Sequence, residues 1–505
     1  MPICKTAEGA MKRKTIFILF IAVTMALPVD AWTGENYWNQ FRGPNGSGIA
    51  TGEKKLPMEF DATKNMIWKC EISKGNSSPC VWGDRIFLTG YAERNLETIC
   101  IDRTNGRILW KKSVTPEKIE RVHPINTPAS PTATTDGKGV FVYFGSHGLL
   151  CYDFDGHEKW KKPLPPPVNM YGTAASPIMA GEYLIFCNDR KTESYLEAID
   201  PDTGKTIWRK EREGFAAGWS TPILWQNNGI DELVIYGIWW IKAYALKDGT
   251  ERWSIPGMTD EPCITPVTGD GMVFTTSYNM KNNPEVIGLP EFDDLLKEYD
   301  RDQDGELTLE EVKPNKSILS RYDADGEGDH PLWGFFRFLD VDKSGKIAVK
   351  EWSKMIAFLN SFQQENALMA IKPGDGEKEA EIVWKHAYGV PECPSPLYYK
   401  GRIYMVKNGG IVSCLDAKSG ELKYQDKLRS GGPYYSSPVV GDEKIYVSSA
   451  RGVVVVFEPG DTLNVLSRND LKERIMATPA IVDGKIYVRT EQNLYAFGLT
   501  TAQND

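Results

Sequence analysis

Ser437-Pro438-Val439-Val440-Gly441-Asp442-Glu443-Lys444-Ile445-Tyr446-Val447 and Thr478-Pro479-Ala480-Ile481-Val482-Asp483-Gly484-Lys485-Ile486-Tyr487-Val488 are two copies of one pattern. In each, a Ser/Thr-Pro pair opens a short strand, a Gly-Asp or Asp-Gly pair turns the chain, and a second strand rich in Ile, Val and Tyr follows. Asp bonds its own backbone two residues on and Gly accepts positive φ, so both suit a hairpin turn. The same opening recurs at Pro79, Pro131, Pro177, Pro222, Pro266, Pro396, Pro438 and Pro479, at intervals of 52, 46, 45, 44, 130, 42 and 41 residues. A period of about 40–50 residues made of short strands predicts a β-propeller. The openings number eight, and so do the predicted blades.

Most repeats continue with a third strand that ends in an Asp turn closed by Gly, at Asp102 and Gly106, Asp153 and Gly156, Asp200 and Gly204, and Asp416 and Gly420. A fourth strand then carries a large aromatic: Trp110, Trp160, Trp208, Trp253, Trp384 or Tyr424. The eighth repeat shows three strands before Asp505, while Met66 to Ile72, with Trp68, has the fourth-strand pattern ahead of the first opening. The expected fold is therefore all-β, an eight-bladed propeller closed by an N-terminal strand, and closure hides two sheet edges.

The interval of 130 residues has absorbed something. Setting aside residues 278–364, which are 87 positions, brings it to 43, in line with the others. From Glu291 to Phe362 the segment holds 10 Lys and Arg against 17 Asp and Glu, so much of the chain's net charge of −9 lies there. Within it Asp300, Asp302, Asp304, Gly305, Glu306, Leu307, Thr308 and Glu311 follow the order of an EF-hand calcium loop. Three carboxylates surround a hard cation, Gly305 turns the chain, Glu306 offers its backbone carbonyl, Thr308 acts through water, and Glu311 closes the site with two oxygens. Asp340, Asp342, Ser344, Gly345, Lys346, Ile347 and Glu351 repeat the pattern with fewer charges, which predicts weaker binding. Leu307 and Ile347, at position eight of each loop, are expected to join the two in a short β-bridge. A small α-helical EF-hand pair inserted in blade five is the expectation, with calcium as its ion.

The remaining segments are placed by composition. Lys12, Arg13 and Lys14 precede the apolar run Ile16 to Leu27, and Val29-Asp30-Ala31 reads as a cleavage site, so residues 1–31 are expected to be a signal peptide and the mature chain periplasmic or secreted. The run is short for a membrane span, and none is expected in the mature chain. The expected order is then a lead-in over 32–65, propeller over 66–277, the EF-hand pair over 278–364, and propeller again over 365–505. Net negative charge argues against nucleic acid as a partner. The five histidines show no zinc-type spacing, and neither a phosphate loop nor a GxSxG elbow is present. Cys100, Cys151 and Cys414 stand just before Asp turns, where Ala198 and Ala370 hold related places, and read as small packing residues. Cys263 and Cys393 are able to pair only if their blades are adjacent.

The Ser/Thr-Pro openings, the Asp turns closed by Gly and the Trp that follows resemble the pyrroloquinoline-quinone-type propeller repeat. That family is shared by quinoprotein dehydrogenases and by non-enzymatic, BamB-like scaffolds. Trp38-Asn39-Gln40-Phe41-Arg42-Gly43-Pro44 is similar to the lead-in of exported members. The enzymatic branch implies a quinone (PQQ) under a vicinal disulfide, and no two cysteines here are adjacent. The reading favours a non-catalytic binding or scaffold module over the alternative, a quinoprotein-like oxidoreductase with PQQ at the central channel. The expected ligand is a protein, a polysaccharide or a small molecule at the propeller face. The loops entering the innermost strands supply the channel-mouth candidates Tyr171, Trp219, Glu261, Glu392 and Arg474, together with Asn76, Asn126, Tyr434 and Tyr435.

Overall fold

The computed structural model describes residues 37–499 except 53, 170, 216, 280–282, 286–289, 316–330, 361–363 and 376–377. The signal peptide expected over residues 1–31 lies outside them. The described strands make eight blades of antiparallel strands. Blade three shows the unit: Ile178–Ala180, Tyr183–Asp189, Ser194–Ile199 and Thr206–Glu211, each pairing with the next. Blade one gains a fifth strand, Tyr37–Trp38, on Val81 and Trp82.

The Thr265 Oγ1 has no hydrogen-bond partner among the described residues, but the hydroxyl residue at each other opening has a structural cause. The backbone N–H of the equivalent residue in the preceding blade donates to that hydroxyl: Ser78 to Thr132 (2.9 Å), Thr132 to Ser176 (2.9 Å), Ser176 to Thr221 (3.1 Å), Thr265 to Ser395 (2.9 Å), Ser395 to Ser437 (3.0 Å), Ser437 to Thr478 (3.0 Å) and Thr478 back to Ser78 (3.1 Å). These buried N–H groups need acceptors, and a Ser or Thr oxygen supplies one without bulk. The ring corrects one register. Blade two enters through Thr132 and Ala133 rather than Ser130 and Pro131: the Thr132 hydroxyl accepts from Ser78 N, and Ser130 stands two residues upstream on the cavity wall.

Fourth-strand aromatics link the outer parts of the blades. The indole N–H groups of Trp110, Trp160, Trp208 and Trp384 donate to carbonyls at the Asp turn of the following blade, those of Phe154, Pro201, Leu246 and Ala417, at 2.8–3.1 Å. The turn's Gly seats the ring: at Gly204, with φ of 71°, a Cβ would lie 2.7 Å from the Trp160 indole. A bulge precedes these residues, as where the register shifts between Ala198 and Ile199 opposite Trp208, and a bulge re-aims a side chain out of its own sheet. Trp253 departs from the pattern and donates to Glu232 Oε2 (2.8 Å) within its own blade.

The ring closes through the N-terminal strand. Met66–Glu71 pairs antiparallel with Asn493–Gly498, Lys69 opposite Tyr495 and Cys70 opposite Leu494. Trp68, 7% exposed, then donates to Arg103 O (3.0 Å) in blade one. Apolar cores lie between neighbouring blades, for example Phe141, Leu149 and Cys151 of blade two against Leu184, Phe186 and Tyr195 of blade three. Cys100, Cys151 and Cys414 are fully buried in such cores, and burial pushes each thiol up to about 12.

The lead-in crosses the channel. Asn39 O accepts from Thr135 N (3.0 Å) in blade two, Gln40 Oε1 from Met179 N (3.2 Å) in blade three, and Asn45 Oδ1 from Leu224 N (2.7 Å) in blade four. Beyond the channel Arg42 donates to Pro396 O (2.7 Å) in blade six, and Ala50 N to Val440 O (2.8 Å) in blade seven. One segment thus pins the innermost strands of several blades, with Phe41 facing the channel.

Candidate functional site

Between Ser277 and Ala367 the chain leaves blade five and builds two helix-loop-helix units. Phe292–Tyr299 and Leu309–Val312 flank the first loop, Leu332–Leu339 and Val349–Asn360 the second. Leu307–Thr308 pairs with Lys346–Ile347, and Leu307 and Ile347 face each other across the bridge, fully buried among Phe292, Leu332, Phe336 and Trp352. On the entry stem Glu285 fastens the insertion to the propeller, accepting from buried Lys407 Nζ (2.7 Å) and from Gly389 N (2.8 Å).

In the first loop ligand oxygens of Asp300, Asp302 and Asp304 lie within 4.8 Å of one another. Loop N–H groups hold them there: Gln303 N and Gly305 N donate to Asp300 (2.7 and 3.0 Å), Asp304 N to Asp302 (3.3 Å) and Glu306 N to Asp304 (2.9 Å). Glu311 accepts from Thr308 N (2.8 Å), Thr308 Oγ1 (2.7 Å) and Arg301 N (2.9 Å), and the Thr308 and other loop N–H bonds keep its carboxyl below the usual range. In the second loop Asp340, Asp342 and Glu351 converge within the same limit, with Glu351 accepting from Val341 N (2.8 Å) and Ala348 N (3.0 Å). Ser344 stands at position five, its N–H on Asp342 Oδ1 (2.9 Å), so this loop lacks the third aspartate. Lys346 reaches across to the first loop, pairing with Asp304 and standing 3.7 Å from Glu306; its hydrogen bond depresses the Asp304 carboxyl. Oxygen donors at alternate loop positions, with a bidentate Glu at the last, suit a hard divalent cation of calcium's size.

The second constellation is a cavity of about 210 Å³ in the channel. Two layers of the repeat line it. One is the hydroxyl ring; the other stands two residues upstream in every blade and reads Asn76, Ser130, Ala174, Trp219, Cys263, Cys393, Tyr435 and Met476. Phe41, Asn126, Tyr171, Tyr278, Glu261 and Glu392 complete much of the wall. Tyr171 OH donates to Glu261 Oε1 (3.1 Å), Trp219 Nε1 donates to Gly172 O (2.6 Å), and the Tyr171 and Trp219 rings meet edge-on at 5.3 Å. Burial, then the Glu261 charge, pushes the Tyr171 phenol well above its ordinary value.

Of the residues expected at the mouth, Asn76, Asn126, Tyr171, Trp219, Glu261, Glu392 and Tyr435 line one cavity. Two do not. Arg474 is exposed and outside the lining, where Met476 stands instead. Tyr434 is buried, packs in the core of blades six and seven, and bonds Ser430. The upstream layer was reachable from sequence by its constant offset from the hydroxyl. Blade two hid it, since its opening is displaced.

A quinone of the enzymatic branch is a planar tricarboxylate. The charged side chains among the described lining residues are Glu261 and Glu392, both acidic, and the two cysteines there stand on different blades. The described lining therefore does not fit that group.

The family described as outer membrane protein assembly factor BamB matches residues 97–261 and 315–504, and the EF-hand family matches residues 292–313. No curated protein matches the chain. Among solved structures, the chain is similar to a europium-containing methanol dehydrogenase (11% identity, TM-score 0.54, covering 92% of this chain and 99% of that one). It is similar also to a quinohemoprotein alcohol dehydrogenase from Comamonas testosteroni (12%, 0.54, 92% and 81%) and to BamB from Moraxella catarrhalis (11%, 0.49, 86% and 98%). At such identities the likeness is one of fold.

Proposed function

The chain belongs to the outer membrane protein assembly factor BamB family, and from that premise we propose that it is an exported, calcium-binding propeller acting as a non-catalytic binding module. The observation that carries the proposal is the convergence of carboxylate oxygens in both EF-hand loops. Like charges held this close by backbone N–H groups repel unless a cation joins them, and six or more oxygens from one loop are what calcium takes. Extracellular modules of this type bind at ~10⁻⁴ to 10⁻³ M, a range suited to an exported protein. For the propeller, the varied upstream layer is the recognition surface and the hydroxyl ring its frame. A cavity of about 210 Å³ is smaller than the ~300–1,000 Å³ of a typical small-molecule site. It suits one projecting group of a protein or polysaccharide, set against the Trp219 and Tyr171 rings and the Glu261 and Glu392 carboxylates.

Incubating the mature protein with PQQ and calcium, then assaying dye-linked alcohol oxidation, separates this reading from a quinoprotein oxidoreductase. No dye reduction and no quinone absorbance after gel filtration are expected. Turnover would overturn the non-catalytic reading.

A further inference from the structure

Cys263 and Cys393 hold the same position in neighbouring blades. Each stands two residues ahead of its blade's hydroxyl residue, and those two residues, Thr265 and Ser395, are joined by a hydrogen bond of 2.9 Å from backbone N–H to Oγ. Both cysteines line the channel cavity and both are half-buried. The other six described cysteines, Cys70, Cys80, Cys100, Cys151, Cys187 and Cys414, are buried. Of all the described thiols, then, these two line the cavity, at equivalent positions of adjacent blades.

We propose that Cys263 and Cys393 form a reversible disulfide that ties blade five to blade six at the cavity. In the step, one thiolate attacks a disulfide oxidant of the glutathione type and releases one glutathione thiol; the second cysteine thiolate displaces the other glutathione from the mixed disulfide. Two protein thiols lose two protons and two electrons, one S–S bond forms, and one oxidant disulfide is reduced to two thiols. The bond has two consequences. It braces blade five, whose second and third strands are separated in sequence by the whole insertion, and it sets the spacing of Glu261 and Glu392, which stand two and one residues upstream of the paired cysteines. The neighbouring Cys263 thiol, then burial, holds the Cys393 thiol well above its ordinary value, so exchange is expected to quicken as pH rises.

The test uses the full mature chain and is independent of calcium and of cellular location. The protein is equilibrated in glutathione buffers of rising oxidised fraction, denatured, alkylated and mapped by mass spectrometry. The proposal expects the Cys263 and Cys393 peptides to lose alkylation together and to appear as one cross-linked species lighter by two hydrogens, reversed by a reductant, while the other six cysteines remain alkylated. Alkylation of both residues at the most oxidising buffer, or cross-linking of either to another cysteine, would overturn it. Cys263→Ser must abolish the cross-link and leave Cys393 alkylated or glutathionylated. Mapping of the parent chain decides the question even where that variant folds poorly.

Discussion

In the propeller, Asp102 is the one acidic residue of its turn, its carboxylate accepting from Thr104 N (2.8 Å) and Asn105 Nδ2 (2.9 Å). In the insertion, Asp300, Asp302 and Asp304 accept loop N–H groups in the same way, yet their oxygens also lie within 4.8 Å of one another. The residue type and the local hydrogen bonding are alike; only the spacing differs. An isolated aspartate is satisfied by its own turn and serves the fold, whereas three at alternate positions bring like charges together, the arrangement the proposed calcium site needs. The propeller directs its polar groups to the next blade, and the insertion directs its own to a common centre.

The comparison breaks most readily at the ring seam. Trp68→Ala removes a buried side chain and the indole donor to Arg103 O, and is expected to cost about 3–5 kcal/mol in urea unfolding while leaving calcium affinity unchanged. A cost under about 1 kcal/mol would show that the aromatic docking does not hold the ring together. A smaller effect follows in the hydroxyl ring. Ser78→Ala strips the buried Thr478 N–H of its acceptor, with an expected loss of about 1–3 kcal/mol by the same measurement.

The smallest effect is a pH dependence. Loop hydrogen bonds to Glu311, the Lys346 contact to Asp304 and the Ser344 contact to Asp342 hold these carboxyls below their ordinary values. Each therefore favours the ionised form in the folded protein. The stability they contribute is complete above the unfolded values of ~3.9–4.3 and is lost as pH falls through the lower folded ones. Calcium affinity measured by calorimetry is expected to stay level from pH 7 to about 5 and to decline only below about 4. A decline between pH 7 and 6 would assign the site to groups other than these.

Much of this was legible because a propeller repeats its constraints. Most blades use a hydroxyl acceptor at the opening and five receive an indole donor from the neighbouring fourth strand, so Ser/Thr and Trp recur at a fixed period and the insertion shows as one long interval. The EF-hand loops were legible for a different reason: ion coordination dictates residue type at each position. What escaped depends on direction rather than identity. Arg474 is exposed while Met476, two residues on, lines the cavity, and at that spacing the sequence pattern places both on one side. Thr132 is masked in the sequence by Ser130-Pro131, which matches the repeat pattern more fully. The path of the lead-in from blade one to blade seven has no sequence period at all, since its contacts are made by Asn39, Gln40, Arg42 and Asn45 singly with different blades.

Calcium titration of the mature protein by calorimetry tests the central claim most directly. The account predicts two binding events in or below the ~10⁻³ M range, the tighter abolished by Glu311→Gln and the weaker by Glu351→Gln. Absence of calcium heat in the parent chain, or two events untouched by either substitution, would contradict it.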